Sequence, residues 1–100
     1  MKLSIVVPCY NEGKSINEFY EKLKSELDEK KISHEIIMVN DGSEDDTNDF
    51  LISLNEKDKN VKIITFSRNF GKESAMFAGL KEAKGKYVAI MDADLQHTPQ

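Results

Sequence analysis

The sequence predicts an α/β protein with a Rossmann-like parallel sheet and helices on both faces. Four short apolar runs rich in β-branched residues alternate with three segments in which apolar residues recur at helical spacing. The order is therefore β-α-β-α-β-α-β, and right-handed crossovers between such strands give a parallel sheet covered on both sides. The length of 100 residues is enough for one small domain with a modest core.

Each expected strand is short and almost free of polar residues. The apolar runs cover residues 3–7, 35–39, 61–66 and 87–91, and Pro8 stops the first of them. Continuous apolar runs of this length are typical of strands buried on both faces of a parallel sheet.

Three helices are expected to connect these strands. The first spans 14–31 and has one apolar face, made of Ile16, Phe19, Tyr20, Leu23 and Leu27. The second begins near Ser43, which together with Asp46 resembles a capping box, and it ends near Lys57. The third spans 71–84 and has a face of small residues that permits close approach to the sheet, made of Ala75, Ala78, Gly79 and Ala83.

The charge and composition of the chain exclude several classes of function. The formal net charge of −4 argues against nucleic-acid binding through phosphate neutralisation. The single cysteine, Cys9, cannot form an internal disulfide, and it is expected to be a small strand-end residue with no histidine to activate it. His34 is expected at the surface, before the second strand. No apolar run has membrane-spanning length, so the sequence predicts a soluble cytoplasmic chain.

Polar residues and glycines gather directly after each of the four strands. In an open parallel sheet, ligands bind outside the carboxyl ends of the strands, near the point where the strand order reverses. The segments at these ends are 8–12, 40–43, 67–72 and 92–94, and they form the candidate binding site.

Asp92 and Asp94 are the sharpest feature of that site. Two carboxylates one residue apart at the end of a buried strand repel each other, and a shared cation relieves the repulsion. Mg²⁺ or Mn²⁺ bound there would keep positions open for phosphate oxygens, while Gln96 could add a carbonyl ligand and His97 an imidazole. The alternative is that Asp92 caps a turn and Asp94 is solvated.

The other candidate residues each have a structural and a functional interpretation. Asp41 either accepts hydrogen bonds from a nucleoside or belongs to a turn that leads into the second helix. Tyr10 and Glu12 either contact a base and its ribose or phosphate, or form a polar turn. Arg68 and Lys72 either are surface charges or face a diphosphate near a helix N-terminus. The sequence has no G-x-G-x-x-G, P-loop or CxxC motif, which argues against the usual dinucleotide fold, a P-loop NTPase and a structural zinc site.

Taken together, the four segments resemble family 2 glycosyltransferases of the GT-A fold. The matching stretches are 6–12 (V-V-P-C-Y-N-E), 39–43 (V-N-D-G-S), 68–72 (R-N-F-G-K) and 91–96 (M-D-A-D-L-Q). Within that family, the last two stretches are most similar to the polyprenyl-phosphate hexose synthases, which include dolichol-phosphate mannose synthase and bacterial undecaprenyl-phosphate glucosyltransferases. The chain departs from the family pattern at Asn40, where many members have Asp, and at residues 97–99, where D-P-P is commoner.

The resemblance implies a site for a nucleotide-diphosphate sugar, a UDP-sugar in preference to a GDP-sugar. The residues implied around the nucleotide are Pro8, Tyr10, Glu12, Asp41, Lys72 and Asp92. The residues implied around Mn²⁺ or Mg²⁺ are Asp92, Asp94 and Gln96. Asp94 is also implied as the catalytic residue, since the metal it holds stabilises charge on the leaving diphosphate.

The implied activity is inverting transfer of a hexose to a polyprenyl phosphate lipid, with the parent protein at the cytoplasmic face of a membrane. Residues 1–100 are expected to form the nucleotide-sugar-binding half of the catalytic domain, truncated after the D-x-D segment. On their own they are expected to be inactive and to self-associate through an exposed sheet edge. Three alternatives remain: a glycosyltransferase with a polysaccharide or other hydroxyl acceptor, a non-catalytic nucleotide-binding module, and a receiver-like signalling domain. The last would need an aspartate after its third strand, where this chain has Thr65-Phe66-Ser67.

Overall fold

The computed structural model describes residues 1–11 and 13–93, together with every side chain in those ranges except that of Lys14. The elements follow the predicted order: β1 Leu3–Cys9, α1 Gly13–Glu29, β2 His34–Asn40, α2 Thr47–Lys57, β3 Val61–Thr65, α3 Lys72–Glu82 and β4 Tyr87–Ile90. All strand pairs are parallel, and the spatial order of the strands is β3-β2-β1-β4. The predicted α/β class with a parallel sheet is confirmed.

Helices cover both faces of the sheet, because successive side chains of the central strands point to opposite sides. Ile5 and Val7 of β1 lie in a core cluster with the apolar residues of α1 and α2. Val6 of β1 and Ile37 of β2 lie in a second cluster with α3, on the opposite face.

Within the described residues, no helix is both long enough and apolar enough to cross a bilayer.

The small-residue face of α3 brings that helix into close contact with the sheet, as predicted. Ala75 is fully buried, and Gly79 lies directly over Val6 of β1. A Cβ at position 79 would lie 2.3 Å from Cγ1 of Val6, which is closer than side chains pack. The absence of a side chain at this position therefore sets the distance between α3 and the sheet.

The first strand continues through Pro8, whereas the sequence predicted that it would stop there. Pro8 pairs in register with Val39 of β2, and β1 ends at Cys9. Backbone groups on the β4 side of β1 belong to alternate residues, since Lys2 and Val6 accept the amides of Tyr87 and Met91. By this alternation the nitrogen of Pro8 faces the β4 side, beyond the last paired residue of β4. A missing N–H is tolerated there because β4, the neighbouring strand on that side, has already ended at Ile90.

Two local predictions were wrong. His34 is buried because it is the first residue of β2, which is buried along its whole length, and its Nδ1 hydrogen-bonds the carbonyl of Ile32 at 2.8 Å. Ser43 does not cap α2, because that helix begins four residues later at Thr47. The carboxylate of Asp45 instead accepts the amide of Thr47 at 2.9 Å.

A buried carboxylate that the sequence did not reveal links the strands at their amino ends. Glu35 of β2 is fully buried and accepts hydrogen bonds from the side chains of Ser4 and Lys62 and from the amide of Lys84. Burial raises the pKa of this carboxyl, but the three hydrogen bonds and the positive charge outweigh burial and hold its pKa at about 2. Since it lies at the amino ends of the strands, we interpret Glu35 as a stabilising residue.

Candidate functional site

The strand order reverses between β1 and β4. From β1 the chain moves outward to β2 and then β3, and it returns through α3 to pair β4 with the other side of β1. In open α/β sheets the ligand crevice forms at such a reversal, outside the carboxyl ends of the strands. Tyr10 follows β1 and Asp92 follows β4, so two of the predicted site residues border this crevice.

The loops after β1 and β2 are linked by reciprocal hydrogen bonds. The amide of Asn11 donates to Oγ of Ser43 at 2.9 Å, and Oδ1 of Asn11 accepts the amide of Glu44 at 2.8 Å. Asn11 adopts φ 53°, a left-handed conformation that asparagine tolerates better than most residues. Asn11 was not among the predicted site residues, and its role here is to position the segment that carries Tyr10.

Asp41 is the anchor of the loop between β3 and α3. Its side chain is buried, and Oδ1 accepts the amide of Phe70 at 2.8 Å. Oδ2 accepts the amide of Gly71 and the side-chain amide of Asn69, both at 3.0 Å. The sequence interpretations of Asp41 were a nucleoside contact or a local turn, and neither included this link to residues 69–71. Its role toward a nucleoside stays a prediction.

Gly42 allows the same two loops to touch. It has φ 70°, and a Cβ at this position would lie 2.1 Å from the backbone carbonyl carbon of Arg68. Both the left-handed backbone and the lack of space require glycine. The loop after β2 therefore contacts the loop after β3 through backbone as well as through Asp41.

Lys72 and Asp92 form the ion pair at the centre of the candidate site. Nζ of Lys72, the first residue of α3, lies 2.8 Å from Oδ1 of Asp92, which is the second residue after β4. Both side chains are about half exposed, so the pair faces the crevice opening. Ala93 is fully buried in the core beside α1 and α2, which fixes the backbone that carries Asp92. The structure thus brings together two residues that were predicted separately.

Of the predicted metal ligands, only Asp92 lies within the described residues, and its chemistry suits a divalent cation. The exposed carboxylate of Asp92 is a hard oxygen donor of the kind that Mg²⁺ and Mn²⁺ prefer, and it already receives a cationic group, the ammonium of Lys72. Among residues 1–11 and 13–93, no cluster of three acidic, histidine or cysteine side chains could hold a metal by itself. Asp94 and Gln96, the other predicted ligands, lie outside the described residues, as do Glu12 and His97.

The remaining predicted residues lie near the same carboxyl ends of the strands. The ring of Tyr10 is exposed, while Pro8 is buried as the penultimate residue of β1. Arg68 stacks on the ring of Phe70, with 4.9 Å between its guanidinium carbon and the ring centroid. Cys9 is the last residue of β1 and is buried in the core, in agreement with the prediction of a small strand-end residue.

Asn40, where the resemblance noted a departure, has a structural role. Its side-chain oxygen accepts the amide of Ser43 at 3.0 Å, and its side-chain nitrogen donates to Asn48 at 3.3 Å. The residue is buried at the end of β2, so it shapes the turn that presents Asp41.

Comparison with known sequences agrees with this geometry. The family model Glycosyl transferase family 2 matches residues 4–100. The putative glycosyltransferase CsbB of Bacillus subtilis is 46% identical over 95 residues, which are 95% of this chain and 29% of that protein. The bactoprenol glucosyl transferase of Shigella phage SfV is 44% identical over 96 residues, which are 96% of this chain and 31% of that protein. The chain therefore spans less than a third of the length of these curated relatives.

Solved structures share the same architecture. S. aureus TarS in complex with UDP-GlcNAc superposes with a TM-score of 0.79 at 33% identity, over 94% of this chain and 27% of that chain. Mannosyltransferase PcManGT from Pyrobaculum calidifontis, in complex with GDP-Man and Mn²⁺, has a TM-score of 0.82 at 27% identity, over 93% of this chain and 27% of that chain. The fold, the strand-end segments and the family match agree, and the chain belongs to glycosyl transferase family 2.

Proposed function

We propose that this chain is the nucleotide-sugar-binding half of an inverting glycosyltransferase that moves a hexose from a nucleotide-diphosphate sugar to an acceptor. The observation that carries the proposal is the Lys72–Asp92 pair at the reversal point of the sheet, where a ligand crevice is expected. The solved neighbours that bind UDP-GlcNAc or GDP-Man with Mn²⁺ support a nucleotide sugar and a divalent cation at this edge.

In this proposal the nucleoside lies against Pro8, Tyr10 and Glu12, next to the loop that Asp41 anchors. The ring of Tyr10 is exposed just after β1, and an aromatic ring of this kind can stack on a base. The loop that Asp41 holds in place ends at Lys72. The ammonium of Lys72 lies 2.8 Å from the carboxylate of Asp92. The loops that carry Tyr10 and Lys72 are held by hydrogen bonds of Asn11 and Asp41 that need no ligand, and this preorganisation would orient the donor.

The predicted metal ligands are Asp92, Asp94 and Gln96. A bound Mn²⁺ or Mg²⁺ would supply positive charge to the diphosphate as it leaves. Lys72 would add a second positive charge at the same group, while the buried Ala93 keeps Asp92 in a fixed position. Asp94→Ala is therefore expected to abolish manganese-dependent donor binding. Donor binding in manganese as tight as that of the wild type would contradict the metal assignment.

For the acceptor we propose a polyprenyl phosphate lipid, with the complete protein acting at the cytoplasmic face of a membrane. The support is the 44% identity to a bactoprenol glucosyl transferase. A polysaccharide or other hydroxyl acceptor is the alternative. Transfer of radiolabelled glucose from UDP-glucose by the complete protein separates the two: a lipid-extractable product identifies the lipid acceptor, and a water-soluble saccharide product identifies the alternative.

We also propose that two copies of this chain associate through β4. Among the described strands β4 pairs only with β1, and the side chains of Tyr87, Val88 and Ile90 are 56%, 44% and 44% exposed. An apolar strand with an unpaired edge is a template for pairing with another chain.

The backbone alternation of β4 favours one antiparallel register, centred on Ala89. The amides of Tyr87 and Met91 donate to β1, so those of the intervening residues Val88 and Ile90 face away from it. Centring on Ala89 places Val88 opposite Ile90 of the second copy as hydrogen-bonded pairs. Hydrogen bonding and apolar contact are then both complementary across a two-fold axis.

A further inference from the structure

Lys72 has a backbone position that is fixed, and its exposed side chain pairs with Asp92. The preceding residue, Gly71, donates its amide to Asp41, and its carbonyl accepts the amide of Ala75 in the first turn of α3. The attachment point of the lysine is therefore fixed relative to the loop after β2. From this point a four-carbon stem carries the ammonium to Asp92.

The ion pair between Lys72 and Asp92 is one in which the lysine can exchange Asp92 for another anion. The two side chains are 57% and 54% exposed, and Nζ of Lys72 lies 2.8 Å from Oδ1 of Asp92. Exposed pairs of this type contribute little free energy, since water and salt compete for both partners. An ammonium is a point charge with three N–H donors, so it can bind another anion without requiring one particular arrangement of acceptors.

A divalent cation and the ammonium of Lys72 compete for the same carboxylate. Two positive groups on neighbouring positions of Asp92 repel each other, so binding of a metal there disfavours the ion pair. A diphosphate adds several negative oxygens beside the metal, and the displaced ammonium then has a new anionic partner within the reach of its stem.

We infer that Lys72 is an exchangeable counter-ion, which neutralises Asp92 when the site holds no ligand and transfers to the diphosphate when the metal and the nucleotide are bound. This inference rests on the proposed function, and it makes Lys72 a positioning residue for the donor. It predicts effects of opposite sign on the two ligands: removal of the ammonium should strengthen binding of the metal alone and weaken binding of the nucleotide in the presence of metal.

The test is calorimetric titration of three proteins, first with Mn²⁺ alone and then with UDP at saturating Mn²⁺. Lys72→Met removes the charge but keeps a similar length and helix propensity. Lys81→Met is the matched control, since it removes one exposed positive charge from the other end of the same helix. Thermal unfolding of each variant checks that the fold is unchanged.

For Lys72→Met we expect Mn²⁺ alone to bind about two- to fivefold more tightly, which is the effect of removing an exposed ion pair from a ligand. We expect UDP with Mn²⁺ to bind at least about fivefold more weakly. Lys81→Met should match the wild type in both titrations, and Lys72→Arg should restore binding of UDP. Unchanged affinities for Lys72→Met, or two changes of the same sign, would overturn the inference while leaving the donor site intact. Wild-type protein that binds neither ligand would instead overturn the proposed function, and the inference with it.

Discussion

Asp41→Asn is the substitution that best tests how the site is built. The two side chains have the same shape, but the carboxylate accepts on both oxygens and the amide accepts on one only. In the structure one oxygen of Asp41 serves the amide of Phe70, and the other serves two donors, from Asn69 and Gly71. Whichever way the new amide turns, its NH₂ group meets at least one N–H donor.

The magnitude follows from that geometry. In the better orientation the amide oxygen keeps its bonds to Asn69 and Gly71, and the amide of Phe70 loses its acceptor. A lost hydrogen bond to a charged group costs about 1.5–3 kcal/mol, and the two bonds that remain become neutral and weaker. We therefore expect a loss of about 2–4 kcal/mol, a large fraction of the total stability of a domain of this size.

Urea unfolding followed by circular dichroism measures this loss. With an unfolding slope of about 2 kcal/mol per molar urea, the midpoint should fall by ~1–2 M. Asp49→Asn is the control, since Asp49 is exposed in the first turn of α2 and its substitution should change stability by no more than about 0.5 kcal/mol. If Asp41→Asn unfolds at the same urea concentration as the control, Asp41 does not anchor the loop and the account of the site is wrong.

Three further predictions test other parts of the structure. The pKa of Glu35 is lowered from 4.5 to about 2, so its ionised form contributes about 3 kcal/mol above pH 4.5, and this contribution is lost as the pH falls toward 2. Glu35→Gln should lose about that much stability at neutral pH and show a flatter acid limb in urea unfolding; an unchanged acid limb would refute the assignment. Gly79→Ala forces a methyl group against Val6 and should cost about 1–3 kcal/mol in the same assay, whereas a wild-type midpoint would show that α3 does not pack so closely. Ile90→Lys should weaken self-association at least about tenfold in light scattering, and a wild-type chain that stays monomeric at high concentration would contradict pairing through β4.

The order of elements and the fold class were predictable from the sequence because the strands are continuous apolar runs. Burial on both faces of β1 and β2 leaves no polar alternation, so these runs stand out from the amphipathic helices between them. The small-residue face of α3 was also predictable, since its spacing alone places Ala75 and Gly79 on one side of the helix.

The boundaries were less predictable because they depend on neighbours in space. Pro8 remains inside β1 only because β4 has already ended on the side where an N–H would be needed. Glu35 lies in a strand read as apolar, and its donors come from sequence positions as distant as Lys84. No local pattern reports such a partner, so a buried carboxylate of this kind is visible only in the folded chain.

The candidate site was predicted in its position but only partly in its contacts. The expectation that all four strand ends converge placed Asp41, Lys72 and Asp92 at one edge of the sheet. The structure adds that Lys72 and Asp92 touch, and that Asp41 acts through residues 69–71. The positions of Glu12, Asp94 and Gln96 lie outside the described residues, and their assignment to nucleotide and metal stays a prediction.

The central claim is that this edge of the sheet binds a nucleotide diphosphate together with a divalent cation. Calorimetric titration of the chain with UDP, in the presence and absence of Mn²⁺, tests it most directly, with GDP as the comparison nucleotide. We predict that UDP binds only when Mn²⁺ is present and more tightly than GDP. Binding of UDP that is equally tight without Mn²⁺, or no binding of either nucleotide with Mn²⁺ present, would contradict the claim.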